Sequence, residues 1–533
     1  MFRIGSLAAV IAALLSQWAA SVDAQVIPLY LDASTYERLG LEEVWSTQIQ
    51  MDAGQSDVAG VRLQVVGVDS YESLQSTSQN IYEVTYGDRI RRFGENDLNA
   101  AGLPHGRAEA ERLAEKFVIQ LKARGIDAKL SVRQTPLVLM YVQSSRGGLH
   151  ALNAETGATL WSIGVGSQRQ PTLRPAANDR YVAAVSGSKL YLLNRLTGET
   201  IWDRELGLNP IFGAAISSTH VFVPSARGHL EAYSLPDEKS DHATTPPWIY
   251  HSGSRITAMP LVTSHTLSWP TIQGLMFVAD VAGPTLLYRH QTGAPIWGEA
   301  VQLPPSSLLV SSSDGYLSAI NEMDGEIAWS FTTGDEIEAG PLLSGARIYQ
   351  ATKPGELFCI GAEQGEERWV IKGVKQILSV GVDRVYVLDM QQRIVAIDGE
   401  TGRRLASMPA AAYDQPLTNG VTDRMYLMSH DGALQCLREI GAAFPTIARP
   451  LPISPEEEAK AQAAESDDGT DESMDAGDDL NDDPFAEDGG FGDEPTDDAG
   501  DDFLGDEPAM DDEPVEDESG DALEDDPFSF DPS

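Results

Sequence analysis

Cysteine is almost absent from the chain: Cys359 and Cys436 are the only two in 533 residues. A disulfide framework needs four or more thiols within a short span, so stability has to come from a packed core. Positive charge is scarce as well, with 37 Lys and Arg against 81 Asp and Glu. That removes the basic footprint needed to hold nucleic acid by bulk charge. Past the N-terminus no apolar run approaches the ~18 residues of a spanning helix, so no transmembrane segment is expected. Helical periodicity is missing from 137 to 440, which excludes solenoids of helix pairs. The nine His residues never stand in H-x-H or H-x-x-x-H spacing, and neither C-x-x-C-H nor D-x-D-x-D-G occurs. Zinc, haem and EF-hand calcium chemistry therefore lack their usual ligand patterns. No metal site and no cofactor is expected.

The acidity is concentrated. Residues 455–533 hold 34 Asp and Glu and a single base, Lys460, which accounts for 33 of the 44 net negative charges. Such a segment cannot bury enough surface to offset its ordering entropy, so 446–533 reads as a disordered acidic tail. Phe485, Phe503 and Phe528 recur in it beside Asp, as in Asp483-Pro484-Phe485. A solvating tail and a set of short docking motifs are the two readings of that pattern. At the other end, Met1-Phe2-Arg3, the apolar stretch Ile4 to Leu15 and Val22-Asp23-Ala24 read as a secretory signal over 1–24.

A repeat organises the rest. Leu149 to Trp161, LHALNAETGATLW, overlays Leu190 to Trp202, LYLLNRLTGETIW. From starts at Leu149, Leu190, Thr285, Leu317, Leu357 and Ile394, a Gly stands eight residues on: Gly157, Gly198, Gly293, Gly325, Gly365 and Gly402. In the first five a Trp follows at twelve (Trp161, Trp202, Trp297, Trp329, Trp369), and the sixth has Ala406. A looser copy runs from Leu230 to Trp248. Each unit reads as strand, tight turn and Trp-bearing strand, with a further strand before it. Repeated four-stranded antiparallel sheets make a β-propeller, whose wedges between blades suit an indole. Glu43 to Ile49 carries Trp45 without a hairpin before it, while Ala433 to Leu437 is a hairpin strand without its Trp partner. Joining the two closes the ring and removes a sheet edge. The expected fold is therefore all-β: an eight-bladed propeller, seven being the alternative count.

Its domains follow: 25–53 with the closing strand, an α+β insertion at 54–134, the propeller at 135–445, and the tail. In the insertion, Ile81 to Arg91 alternates as a strand, Ala108 to Lys122 has helical spacing, Gly125 ends the helix and Ile126 to Val132 resumes a strand. Helix and flanking residues are faintly similar to half of a sporulation-related peptidoglycan-binding domain.

The phrase of apolar strand, Asn or Asp, Thr-Gly and Trp, as in ALNAETGATLW and AIDGETGRRLA, resembles the repeat of the quinoprotein-type propellers with PQQ-like repeats. Their enzyme branch implies an adjacent Cys pair, a Ca²⁺ site and an Asp base. Here the two cysteines lie far apart, at copy positions where other copies have Ala151, Ala232, Ala319 and Ala396. The resemblance is nearest to the non-enzymatic, BamB-like branch, although no Cys stands near the signal to be lipidated. It implies an exported, non-enzymatic scaffold in the periplasm or cell envelope that binds envelope proteins as a monomer, in outer-membrane protein assembly. The alternative is a PQQ-dependent dehydrogenase with an atypical site. His150, His229, His251, His290 and His430 read as surface or satisfied polar groups, and Asp314-Gly315, Asp324-Gly325 and Asp431-Gly432 as hairpin turns.

Overall fold

The computed structural model describes residues 31–448 except 32, 52–57, 67–77, 88, 98, 100–103, 237–245 and 411–412. The expected signal over 1–24, and the acidic segment with Phe485, Phe503 and Phe528, lie outside the described residues. Among the described residues strands dominate, arranged in eight four-stranded antiparallel sheets and one of three strands. In chain order the four-stranded sheets are the first (Val58–Gly164), second (Ala176–Glu205), third (Ala215–His251), fourth (Leu261–Gln291), fifth (Val301–Thr332), sixth (Leu342–Lys372), seventh (Val374–Pro409) and eighth (Gln415–Glu439 with Leu41–Gln48).

Packing turns these sheets into a ring. Leu149, Ala151 and Tyr141 of the first meet Val182, Ala184 and Leu193 of the second. Equivalent clusters join second to third, third to fourth, fourth to fifth, fifth to sixth, sixth to seventh, and seventh to eighth. The last cluster sets Met428, Leu434 and Cys436 of the eighth sheet against Val138, Met140 and Val142 of the first. The middle strands are buried on both faces, which is why they carry apolar runs such as Val138–Val142. The architecture is a β-propeller.

Closure uses the two chain ends. Strand β1 (Leu41–Gln48) pairs antiparallel with Ala433–Glu439, placing Trp45 opposite Cys436 and Thr47 opposite Leu434. The preceding helical segment, Ala33–Leu39, ends at Gly40 in left-handed conformation and buries Leu39 in the cluster between the seventh and eighth sheets.

Three boundaries expected from the sequence are corrected. Strand β2 (Val58–Val65) is not part of the insertion: it pairs with β6 (Val138–Ser144) as the innermost strand of the first sheet, ahead of β7 (Gly148–Asn153) and β8 (Thr159–Gly164). The α+β layer is thus inserted within a blade, after β2. Its sheet is a hairpin of β3 (Ser78–Tyr86) and β4 (Arg89–Gly94), turning at Gly87 with φ 57° where one strand was expected, plus β5 (Lys129–Pro136) on the far side of β3. Helix α1 (Gly106–Ala123) covers one face through Ala110, Ala114, Phe117 and Leu121. The propeller also extends past 445. Thr446 O accepts from Asp423 N, and Ile447 bridges Thr422 and packs in the closing cluster.

Candidate functional site

The repeated turn is built from side chain upward. Asn194 Oδ1 accepts the backbone N–H of Leu196 and Thr197 at 2.8 and 3.2 Å, and Gly198 then takes φ 73° to reverse the chain. Asp398 does the same for Glu400 and Thr401 ahead of Gly402. Asn and Asp side chains that bond backbone two residues on are the physical reason for the N-x-x-T-G phrase. The bare glycine face then receives an indole from the preceding blade. A methyl group at Gly157 would stand 2.6 Å from Trp45 Cδ2, at Gly198 2.8 Å from Trp161, and at Gly402 2.8 Å from Trp369. The indole N–H donates to the same loop: Trp45 to Ala154 O at 2.9 Å, Trp161 to Arg195 O at 2.8 Å, Trp329 to Ala362 O at 3.2 Å and Trp369 to Gly399 O at 3.1 Å. An indole thus sits at four of the junctions between successive sheets, through Trp45, Trp161, Trp329 and Trp369.

Two repeat residues stand elsewhere. Gly293 and Trp297 are not a turn and wedge of the fourth sheet. Its outer strand is Leu286–Gln291, in which Tyr288 pairs with Val278, the position of Trp161 opposite Ala151. Tyr288 lies over Gly325 and donates to Asn321 O at 2.7 Å, so a Tyr takes the place expected for Trp297. Trp297 itself, 37% exposed, lies on the central channel. Trp202 is held under the Arg204 guanidinium, 4.8 Å from its centroid. Trp248 pairs with Ala232 in the repeat register and packs against His220.

The innermost strands surround a channel of about 710 Å³ lined from all eight four-stranded sheets, including Val61, Ala176, Ala215, Leu261, Val301, Leu342, Ile377 and Leu417. One ion pair spans it: Arg174 Nη1 donates to Glu299 Oε1 at 2.9 Å, joining residues 125 apart in sequence. Arg174 Nε also donates to Val61 O at 3.1 Å, so this one side chain ties the second sheet to the first and fifth. Besides alanine, proline and aliphatic residues the wall carries Glu299, Glu338, Lys375 and Thr418, and among the described residues no group of three or more His, Cys, Asp or Glu could hold a metal.

The inserted layer rests on the closing seam. Arg92 Nη1 donates to Val44 O of β1 at 2.8 Å, Gln79 exchanges hydrogen bonds with Asn153, and Thr156 Oγ1 donates to Asp97 at 2.8 Å. Buried Glu83 is shared by Arg92 and Arg133, and Arg133 lies over the Phe444 ring. Beside it, fully buried Arg424 links Glu155 of the first sheet at 3.3 Å to Asp423 at 3.1 Å and donates to Ala442 O. Burial pushes the Asp423 carboxyl up to about 6 against the pull of Arg424.

The thiols are structural. Cys359 pairs with Trp369 and Cys436 with Trp45, in the register that Ala151 and Ala319 occupy in other sheets. Both are free and buried, and burial pushes the Cys359 thiol up to about 11. His150 is buried against Ser162 Oγ at 2.9 Å, His430 bonds Asp414, and Gly315, Gly325 and Gly432 turn with positive φ. No helix among the described residues is long and apolar enough to cross a membrane.

Known proteins similar to this chain include outer membrane protein assembly factors. A PQQ-like repeat family model, described as outer membrane protein assembly factor BamB, matches residues 120–244 and 313–438. The outer membrane protein assembly factor BamB of Burkholderia pseudomallei is 24% identical over 237 residues, which span 39% of this chain and 58% of that protein. The BamB of Yersinia pestis is 23% identical over 290 residues, covering 46% of this chain and 70% of that one. The crystal structure of BamB from Moraxella catarrhalis aligns with a TM-score of 0.46 and 18% identity over 56% of this chain and 91% of that chain. Sheets, turns and the family match together define a β-propeller of PQQ-like repeats. Over somewhat less than half of its length the chain is similar to outer membrane protein assembly factors BamB.

Proposed function

We propose that this chain is an exported, non-enzymatic scaffold of the cell envelope that holds other envelope proteins during outer-membrane protein assembly. The match of two long stretches, 120–244 and 313–438, to the BamB family model carries this reading. The physical form supports it. A ring with its edges closed by β1 is a stable platform. Loops at its two faces and exposed outer strands, such as Ile327–Thr332 with Ile327 55% exposed, offer surface for docking and strand addition. The layer of β3, β4, α1 and β5 enlarges one face beside the seam.

Depletion of the chain tests the reading. Folded outer-membrane β-barrel proteins, measured by heat-modifiable mobility in isolated membranes, should fall and recover when the chain is restored. Unchanged levels under full depletion would overturn it.

A further inference from the structure

We infer that His229 and His251 form a surface site for a divalent transition metal. The two residues are register partners on neighbouring strands, His229–Ser234 and Trp248–His251 of the third sheet. Ser252 N donates to Gly228 O at 2.9 Å on the adjacent rung. That makes the His pair a non-hydrogen-bonded rung, where opposed side chains approach most closely.

The rings already stand at chelating separation. Their centroids are 4.4 Å apart, with planes at 71°. With metal–nitrogen bonds of about 2.1 Å, each imidazole centroid lies roughly 3.2 Å from the ion, so two rings in adjacent coordination positions are about 4.5 to 5.2 Å apart. Only a small opening of the pair admits the ion. His251 is exposed and His229 half-buried, so an ion has access from solvent.

A second observation gives the site negative charge. Alternation along the strand turns His229, Glu231 and Tyr233 to one face, toward the second sheet. Tyr233 packs with Leu206 there, and Glu231 accepts from Gly207 N at 3.1 Å and from Tyr233 OH at 2.5 Å. Glu231 is 2% exposed, and its Oε1 has no hydrogen-bond partner. This acidic group, two residues from His229, favours a cation beside it without ligating it.

Two imidazoles with the remaining positions open to water suit Cu²⁺, Ni²⁺ and Zn²⁺ over Mg²⁺ or Ca²⁺, with Cu²⁺ bound most tightly. The test is electron paramagnetic resonance of the chelator-stripped full chain with one equivalent of Cu²⁺, in excess Mg²⁺ to occupy the carboxylates of 455–533. The parent should show two equatorial imidazole nitrogens. H229Q and H251Q should each show one, with the dissociation constant raised at least tenfold. An all-oxygen spectrum in the parent, or a two-nitrogen spectrum unchanged in both variants, would overturn the proposal. The parent spectrum alone decides should a variant fail to fold.

Discussion

Replacing Trp45 by Ala should open the ring at its seam. The indole is 8% exposed and packs in the cluster that joins the eighth sheet to the first. It covers the face of Gly157, stands 6.2 Å from the Tyr426 ring and donates to Ala154 O. Truncating a buried Trp to Ala costs about 3–5 kcal/mol and the lost hydrogen bond about 1 kcal/mol more, so about 4 kcal/mol is the low end. With an unfolding entropy of roughly 2.1 cal/mol/K per residue over about 400 ordered residues, 4 kcal/mol lowers the melting temperature by about 5 °C if unfolding is cooperative. Differential scanning calorimetry of Trp45→Ala beside Trp297→Ala makes the comparison decisive, because Trp297 lies partly exposed on the channel and should move the transition by a degree or so. Equal shifts in the two variants would refute the assignment of Trp45 as the closing wedge.

Gly157→Ala should destabilise more than Gly125→Ala in denaturant titration. Both glycines have φ near 73° and share the conformational cost of about 1–2 kcal/mol, but only Gly157 faces a ring, whereas a methyl at Gly125 meets nothing within 4 Å. Asp423→Asn should flatten the pH dependence of stability between about pH 4 and 6. The folded carboxyl, raised to about 6, holds its proton where an unfolded Asp near 3.9 has lost it, so its contribution falls as pH rises through that window and is level above it. Denaturation midpoints of parent and variant at four pH values measure the slope. Pyrroloquinoline quinone with Ca²⁺ added to the purified chain should give no dye-linked oxidation of alcohols or sugars, and stoichiometric quinone binding measured by equilibrium dialysis would revive the dehydrogenase reading.

What was legible in the sequence was local. A glycine that must adopt φ near 73°, an Asn or Asp that bonds the next N–H groups and an indole twelve residues from the copy's start lie within one hairpin, so a single phrase records them. The closing strand was legible for a related reason: Trp45 lacked a hairpin and Ala433 to Leu437 lacked a Trp, and each half supplied the other. The misplaced copy at Thr285 came from requiring those identities. Counted from Met276, position eight is Pro284 and position twelve is Tyr288, and Tyr288 performs both the stacking and the hydrogen bond. Innermost strands left little signal, since pieces as short as Ala176–Ala177 show no period, and β2 is parted from β6 by the 72 residues 66–137. Arg174 and Glu299 meet only because the ring closes, and no local pattern relates residues 125 apart. His229 and His251 stand 22 residues apart in sequence, and only the register between their strands makes them a pair.

Cross-linking in living cells, followed by affinity capture and mass spectrometry, tests the central claim most directly. A scaffold of outer-membrane protein assembly should carry reproducible cross-links from its face loops and inserted layer to outer-membrane assembly proteins, each lost when Leu41 to Gln50 is deleted and the ring cannot close. Cross-links no richer in envelope proteins than those of an inert exported control of similar abundance would contradict it.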